Sequence, residues 1–181
     1  MNAIIKVTGD ITPEVGERIC DEFVDAEKCQ DILQIVFLIS SGGGNTSVIP
    51  PLWELVQMSR KSVVSIGSDT VGSTASGIFM MPPRRMLIPD TKVLVHEARR
   101  ILQGAYTVYE MEEMARETKA RNKVVFGPLL QNSTLPPAVL KRKVKDGRDW
   151  VLTEEELVRY RIVTEPYNRE EVRKLLVEYA R

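Results

Sequence analysis

Gln34-Ile35-Val36-Phe37-Leu38-Ile39 leads directly into Ser40-Ser41-Gly42-Gly43-Gly44. A nearly continuous apolar run of this length predicts a strand buried on both faces. The abrupt change to serine and glycine predicts a sharp change of direction at its end. Glycines there let backbone N–H groups face a phosphate or an oxyanion. A plain tight turn is the competing reading of the same residues.

Outward from this stretch the chain alternates strands and helices. Upstream, Ile4-Ile5-Lys6-Val7 is a short strand closed by Thr8-Gly9-Asp10. Thr12 is a candidate N-cap with Pro13 at the first helical position. Val15, Ile19, Phe23 and Val24 then recur at helical spacing through about Glu27. Downstream, a helix is expected from about Ser47 to Arg60, with Pro50 and Pro51 in its first turn. Val63 to Ile66 is the next strand. After a polar loop, a short helix from Ala75 to Met81 stops at Pro82-Pro83. Met86-Leu87-Ile88 and Val93-Leu94-Val95 are two further strands around a Pro89-Asp90 turn. Such alternation predicts a parallel sheet with helices against it.

From Ala105 to about Asn132 the pattern becomes one long helix dense in Glu, Lys and Arg, with Gly127-Pro128 interrupting it near the end. Its narrow apolar stripe predicts a helix that protrudes or packs against another subunit. Pro136-Pro137 opens another helix, Thr153 to Glu156 forms a capping box, and Asn168 to Arg181 is amphipathic. No internal repeat or low-complexity linker divides the 181 residues, so residues 1–181 are read as one domain.

Composition narrows the function. Lys+Arg and Asp+Glu balance at 25 each, which gives no general pull toward nucleic acid or anionic membrane. No signal peptide or membrane-spanning stretch is legible, so a cytoplasmic location is expected. Cys20 and Cys29 are read as reduced, mostly packed thiols, and no metal-ligating cluster is expected.

Two further features bear on chemistry. Gly72-Ser73-Thr74-Ala75-Ser76-Gly77 joins a strand to a helix through small residues. A serine in such a first turn can serve as a nucleophile, with N–H groups and the helix dipole nearby for developing negative charge. N-capping is its ordinary alternative. His96, the single histidine, ends a buried strand and is the one candidate imidazole base. A carboxylate to orient it could be Asp69, Asp90, Asp146 or Asp149; spacing does not choose among them.

Taken in order, five blocks resemble the proteolytic subunit of the ClpP caseinolytic proteases. Ile39 to Gly44 is similar to that family's I-N-S-P-G-G, and Gly72 to Ser76 to its G-x-A-A-S. Pro89 to His96 is similar to P-N-A-R-x-M-I-H, Gln103-Gly104 to the Q-G opening the handle helix, and Arg148 to Thr153 to R-D-x-F-x-S/T. The resemblance spans about Ile4 to Glu165.

It implies an α/β fold of the ClpP/crotonase-like type, a spiral of βαβ units with a protruding handle helix at about 105–132. It implies Ser76 as nucleophile, His96 as base and Asp149 as the orienting carboxylate. The backbone N–H groups of Gly44 and Gly77 would form the oxyanion hole. Arg99, Arg100 and Ile101 fall in the strand that pairs with substrate, and Arg148 in the place of a subunit-linking arginine. The implied protein is a cytoplasmic serine endopeptidase without cofactor or metal. It would assemble into homo-oligomeric rings, heptamer or tetradecamer, with a possible AAA+ unfoldase partner. Unfolded polypeptides would be its substrates, with apolar residues preferred on the acyl side of the cut.

The chain also departs from the pattern. Family members begin well before the equivalent of Ile4 with a pore-loop segment, which this chain is expected to lack. Glu97-Ala98-Arg99-Arg100-Ile101-Leu102 replaces a stretch of prolines and glycines, Gly42 replaces the motif proline, and the segment between Ser76 and His96 is shortened. These changes predict a divergent, phage-type or accessory member. Two other readings are a catalytically silent ring subunit and a crotonase-type acyl-CoA enzyme, which binding of free coenzyme A would distinguish.

Overall fold

The computed structural model describes residues 1–178. Its centre is a six-stranded sheet in the order β1-β2-β3-β5-β6, with β4 also paired to β3. The strands are β1 (Asn2–Ile11), β2 (Gln34–Gly44), β3 (Ser62–Gly72), β4 (Arg84–Leu87), β5 (Lys92–Val95) and β6 (Trp150–Val151). β1, β2 and β3 are parallel neighbours. β3 is long enough to serve two partners along one side: β4 runs beside Val64–Gly67 and β5 beside Thr70–Gly72, both parallel. β6 closes the far edge antiparallel to β5.

The helices are α1 (Pro13–Lys28), α2 (Ile49–Met58), α3 (Thr74–Phe79), α4 (Val108–Gln131), α5 (Pro137–Lys143), α6 (Glu154–Arg159) and α7 (Arg169–Arg173). Thr12 caps α1 by accepting the Val15 N–H, with Pro13 in the first turn as its fixed φ favours. Thr153 and Glu156 form the reciprocal capping box of α6. A single 3-10 turn, Thr46–Val48, precedes α2, so that helix begins later than Ser47. β1 runs beyond Thr8-Gly9-Asp10 to Ile11, because a register shift between Thr8 and Asp10 absorbs the turn-like residues as a bulge.

Alternation along β2 explains why that strand reads as almost wholly apolar. Ile35, Phe37 and Ile39 face the main core with α1 and α2, where Phe37 stacks on Phe23 at 5.9 Å. Val36 faces the other side, where Val64, Ile66 and Met86 meet Val172 and Leu175. The second face is therefore covered by the C-terminal segment. The amphipathic stretch expected at 168–181 supplies that cover through residue 175, while residues 179–181 lie outside the described residues.

α4 is one 24-residue helix, about 36 Å long at ~1.5 Å rise per residue. Its buried residues are Val125, Pro128 and Leu129, all in the last two turns, so most of it projects from the core as expected. Pro128 does not interrupt it. The helix continues to Gln131, and the Asn132 N–H bonds back to the Pro128 carbonyl. A proline inside a helix costs roughly 3 kcal/mol; here the ring is buried, and its packing offsets that cost. The expectation of two packed thiols holds for Cys20, which is half-buried with its thiol pushed up by burial. It fails for Cys29, which is exposed because it ends α1. Among the described residues, no helix is long and apolar enough to cross a membrane, and no group of His, Cys, Asp and Glu could hold a metal ion.

Arg85 ties these parts together. It is 2% exposed, and among the described residues it faces no carboxylate. Its guanidinium instead donates to the carbonyls of Pro82, Asn132, Arg161 and Ile162 at 2.6–2.8 Å. These carbonyls lie just past α3, α4 and α6, where uncapped C=O groups concentrate negative charge. Burial pulls the Arg85 pKa down to about 10, which leaves it charged at neutral pH. Beside it, Arg84 holds Glu165 and Glu171, fastening the C-terminal segment to β4.

Two outcomes are expected. Arg85→Met strands four carbonyls and should destabilise the fold by about 3–5 kcal/mol in chemical denaturation, the range for breaking a buried charged network. A loss within ~0.5 kcal/mol, the scale of a neutral surface change, would contradict the role given to Arg85. The Arg84 guanidinium, hydrogen-bonded to Glu165, holds that carboxyl below the usual range. Its contribution is then complete above the ordinary glutamate pKa of ~4.3 and is lost as pH falls through the lowered value. Hydrogen exchange at 164–175 should therefore rise on acidification before that of β2 and β3, and simultaneous exposure of both would show that the clasp does not act separately.

Candidate active site

The site lies at the carboxyl ends of the parallel strands, the usual place for ligands on open α/β sheets. Register puts Ser41, Val71 and Val93 abreast on β2, β3 and β5. The residues just beyond them converge: Gly42–Gly44 past Ser41, Gly72-Ser73 past Val71, and Leu94 to His96 past Val93. The Ser73 N–H donates to the Leu94 carbonyl at 3.0 Å, which locks the β3 exit onto β5.

β2 does not end at Ile39 in a sharp turn as expected. It continues through the glycines, with Gly43 and Gly44 paired to Asp10 and Ile11 of β1. Glycine is required where it touches the end of β3. Gly43 has φ of 106°, and a Cβ there would stand 2.7 Å from the Gly72 carbonyl oxygen and from Ser73 Cβ. Gly44 has φ of 147°, and its Cβ would stand 2.4 Å from the Ile11 carbonyl oxygen. The loop is further held by Ser41, whose hydroxyl donates to Gly9 O at 2.6 Å and accepts from the Gly43 N–H at 3.0 Å. Thr74 Oγ1 donates to the Gly44 carbonyl at 2.8 Å, tying α3 to the loop.

Ser76 lies in the first turn of α3 and does not cap it. The capping position belongs to Ser73, whose side chain makes no cap hydrogen bond. Ser73 also carries the turn's strain, with φ of 50° and ψ of −121°, a conformation that costs a non-glycine residue about 1–3 kcal/mol. Ser76 is 3% exposed, and its hydroxyl donates to the Ser73 carbonyl at 2.6 Å. The Gly77 N–H also points to that carbonyl, at a long 3.3 Å.

His96 and Asp149 meet because of strand register. Val95 faces Trp150 in the antiparallel β5–β6 pair, so the next step sets His96 beside Asp149. Their Nδ1 and Oδ1 atoms are 3.0 Å apart. The other carboxylates that spacing allowed lie elsewhere, each at a positive φ: Asp69 inside β3, Asp90 in the turn after β4 and Asp146 in a short 3-10 segment. The His96 hydrogen bond, assisted by Arg99, holds the Asp149 carboxyl below the usual aspartate range. An ionised carboxylate only accepts. Nδ1 of His96 therefore carries the hydrogen in this pair, and Nε2 is the ring nitrogen left for other partners. Arg99 also pairs with Oδ1 of Asp149, and it donates to Gly147 O at 3.2 Å. Ser76 donates to Ser73 rather than to His96.

The glycines of β2, Ser73 and His96 border a groove of roughly 450 Å³ that Arg99 and Arg121 also line; Ser76, Gly77 and Asp149 lie outside that lining. Residues 96–107, of which His96, Ala98 and Arg99 line the groove, pair with no strand among the described residues. Ile101 is 89% exposed, and Arg100 pairs with Glu117 of α4. Arg148 is exposed, with no side-chain partner among the described residues. Sequence reading missed Ser73, Arg121 and the Arg99–Asp149 pair. For Ser73, the signal was its place as the first residue after β3. The other two depend on tertiary placement.

Comparison with known proteins agrees with this architecture. The Clp protease family profile matches residues 1–169. The ATP-dependent Clp protease proteolytic subunit 3 of Rhizobium meliloti is 25% identical over 162 residues, covering 88% of this chain and 80% of that protein. Subunit 2 of Treponema denticola is 26% identical over 163 residues, covering 88% and 79%. A ClpP1 mutant structure from Listeria monocytogenes superposes with a TM-score of 0.78 over 93% of each chain at 19% identity, which establishes the shared fold. The chain belongs to the Clp protease family and is a divergent ClpP-type subunit.

Proposed function

We propose that this chain is a serine endopeptidase subunit that cleaves unfolded polypeptides or peptides through Ser76, His96 and Asp149. The observation that carries this is the His96–Asp149 hydrogen bond, set at the same strand ends as the glycine loop and the α3 turn bearing Ser76. In the reaction, Ser76 Oγ leaves the Ser73 carbonyl and attacks the scissile carbonyl. His96 Nε2 takes the hydroxyl proton and later delivers it to the leaving amine, while Asp149 stabilises the imidazolium. Charge developing on the carbonyl oxygen is met by the N–H groups of Gly44 and Gly77. Gly77 can supply this bond because its present one is long.

Assembly belongs to the same proposal. The segment 96–107 has no strand partner among the described residues, and Arg148 is exposed beside Asp149. Both fit homo-oligomeric rings, heptameric or tetradecameric, in which neighbours complete the site. The rings would act in the cytoplasm, with an AAA+ unfoldase as partner. Arg99–Ile101 would pair with the substrate backbone. A silent ring subunit is the second reading. It is favoured by the Ser76 hydroxyl resting on Ser73 and by Arg99 sharing the Asp149 oxygen with His96.

Intact-mass analysis with a fluorophosphonate, followed by peptide mapping, separates the readings. One adduct per chain is expected on Ser76, absent in Ser76→Ala and retained in Ser73→Ala. An adduct that maps to Ser73 would move the nucleophile to the strained turn residue. No adduct on folded, assembled protein would support the silent subunit. Asp149→Asn should slow peptide turnover by on the order of 10⁴, as loss of the correct tautomer does in comparable triads. An unchanged rate would remove Asp149 from the mechanism.

A further inference from the structure

The groove beside His96 is bordered by charges of both signs, an exposed Asp10 and two arginines. Asp10, His96, Arg99 and Arg121 are its titratable lining residues. Arg99 is satisfied by Asp149, whereas Arg121 is exposed and has no carboxylate partner among the described residues. Two charged neighbours on α4 are paired: Arg116 with Glu113, and Glu117 with Arg100.

The helix backbone around Arg121 is anchored on both sides. The segment after His96 runs antiparallel along α4, with the Ala98 N–H donating to Asn122 Oδ1 at 2.6 Å and Arg100 pairing with Glu117. Arg121 lies between those two anchors on α4. It borders the groove together with Gly42–Gly44, His96 and Arg99. A guanidinium in such a place recognises a carboxylate through two parallel N–H···O bonds, and no existing ion pair must be broken first.

We propose that the groove selects polypeptides carrying an aspartate or glutamate side chain next to the scissile bond, with Arg121 as the residue that binds it. This rests on the assignment of the groove as a peptidase site. It adds an acidic specificity to the apolar preference that family resemblance implies.

The test uses peptidyl phosphonates that differ only by Glu or Gln at either of the two residues before phosphorus. Labelling rates are read by intact mass on the assembled protein. For at least one position the Glu probe should label about tenfold faster, the equivalent of ~1.4 kcal/mol. The ratio should fall to near one in Arg121→Gln and partly return in Arg121→Lys. Equal rates for Glu and Gln probes, or a Glu advantage that persists in Arg121→Gln, would overturn the acidic specificity and leave the peptidase assignment standing. Failure of both probes to label would overturn the peptidase assignment, and the specificity with it.

Discussion

The site rests on one steric constraint, the backbone-to-backbone contact between the exits of β2 and β3. Gly43 approaches Gly72 and Ser73 so closely that a single Cβ would separate them. That contact sets the glycine loop against the first turn of α3, and Thr74 fastens it through the Gly44 carbonyl. Ser73 then reaches Leu94 of β5, which brings the His96 end of that strand to the same place. Three chain segments remote in sequence are thus held by backbone contacts, leaving side chains available for chemistry. Holding a constellation on rigid strand ends reduces the reorganisation a reaction must otherwise supply.

Arg85 plays a comparable part on the opposite side of α3. A buried cation is costly unless its donors are satisfied, and here four carbonyls satisfy it. The same guanidinium collects the ends of three helices, so α3 is fixed at its C-terminus as well as at the strained Ser73 turn. The nucleophile candidate therefore sits on a six-residue helix clamped at both ends. A helix this short would not persist alone, and its geometry is a property of the surrounding fold.

Much of the fold was legible because local signals were strong. The apolar run of β2, the Thr12-Pro13 helix start and the Thr153 capping box each carry their own physical cause. Ser76 and His96 were singled out by residue type and by the elements they end. Asp149 was not selectable from spacing, since the choice depends on which residues face each other across β5 and β6, and that register is a long-range property. The cover of the second sheet face by Val172 and Leu175 was hidden for the same reason. Pro128 misled because its helix-breaking tendency is local, whereas the burial that overrides it is not. Arg85 read only as part of a shortened segment, because a carbonyl-bound arginine has no sequence signature.

A single catalytic constellation around Ser76 requires these strand ends to act together on one bound group. The most direct measurement is a crystal structure of the assembled protein after reaction with a peptidyl phosphonate. Phosphorus should be bonded to Ser76 Oγ, with the phosphonyl oxygen held by the N–H groups of Gly44 and Gly77 and His96 Nε2 within hydrogen-bond reach while Nδ1 stays on Asp149. Phosphorus on another residue, or a phosphonyl oxygen turned away from the glycine loop, would contradict it.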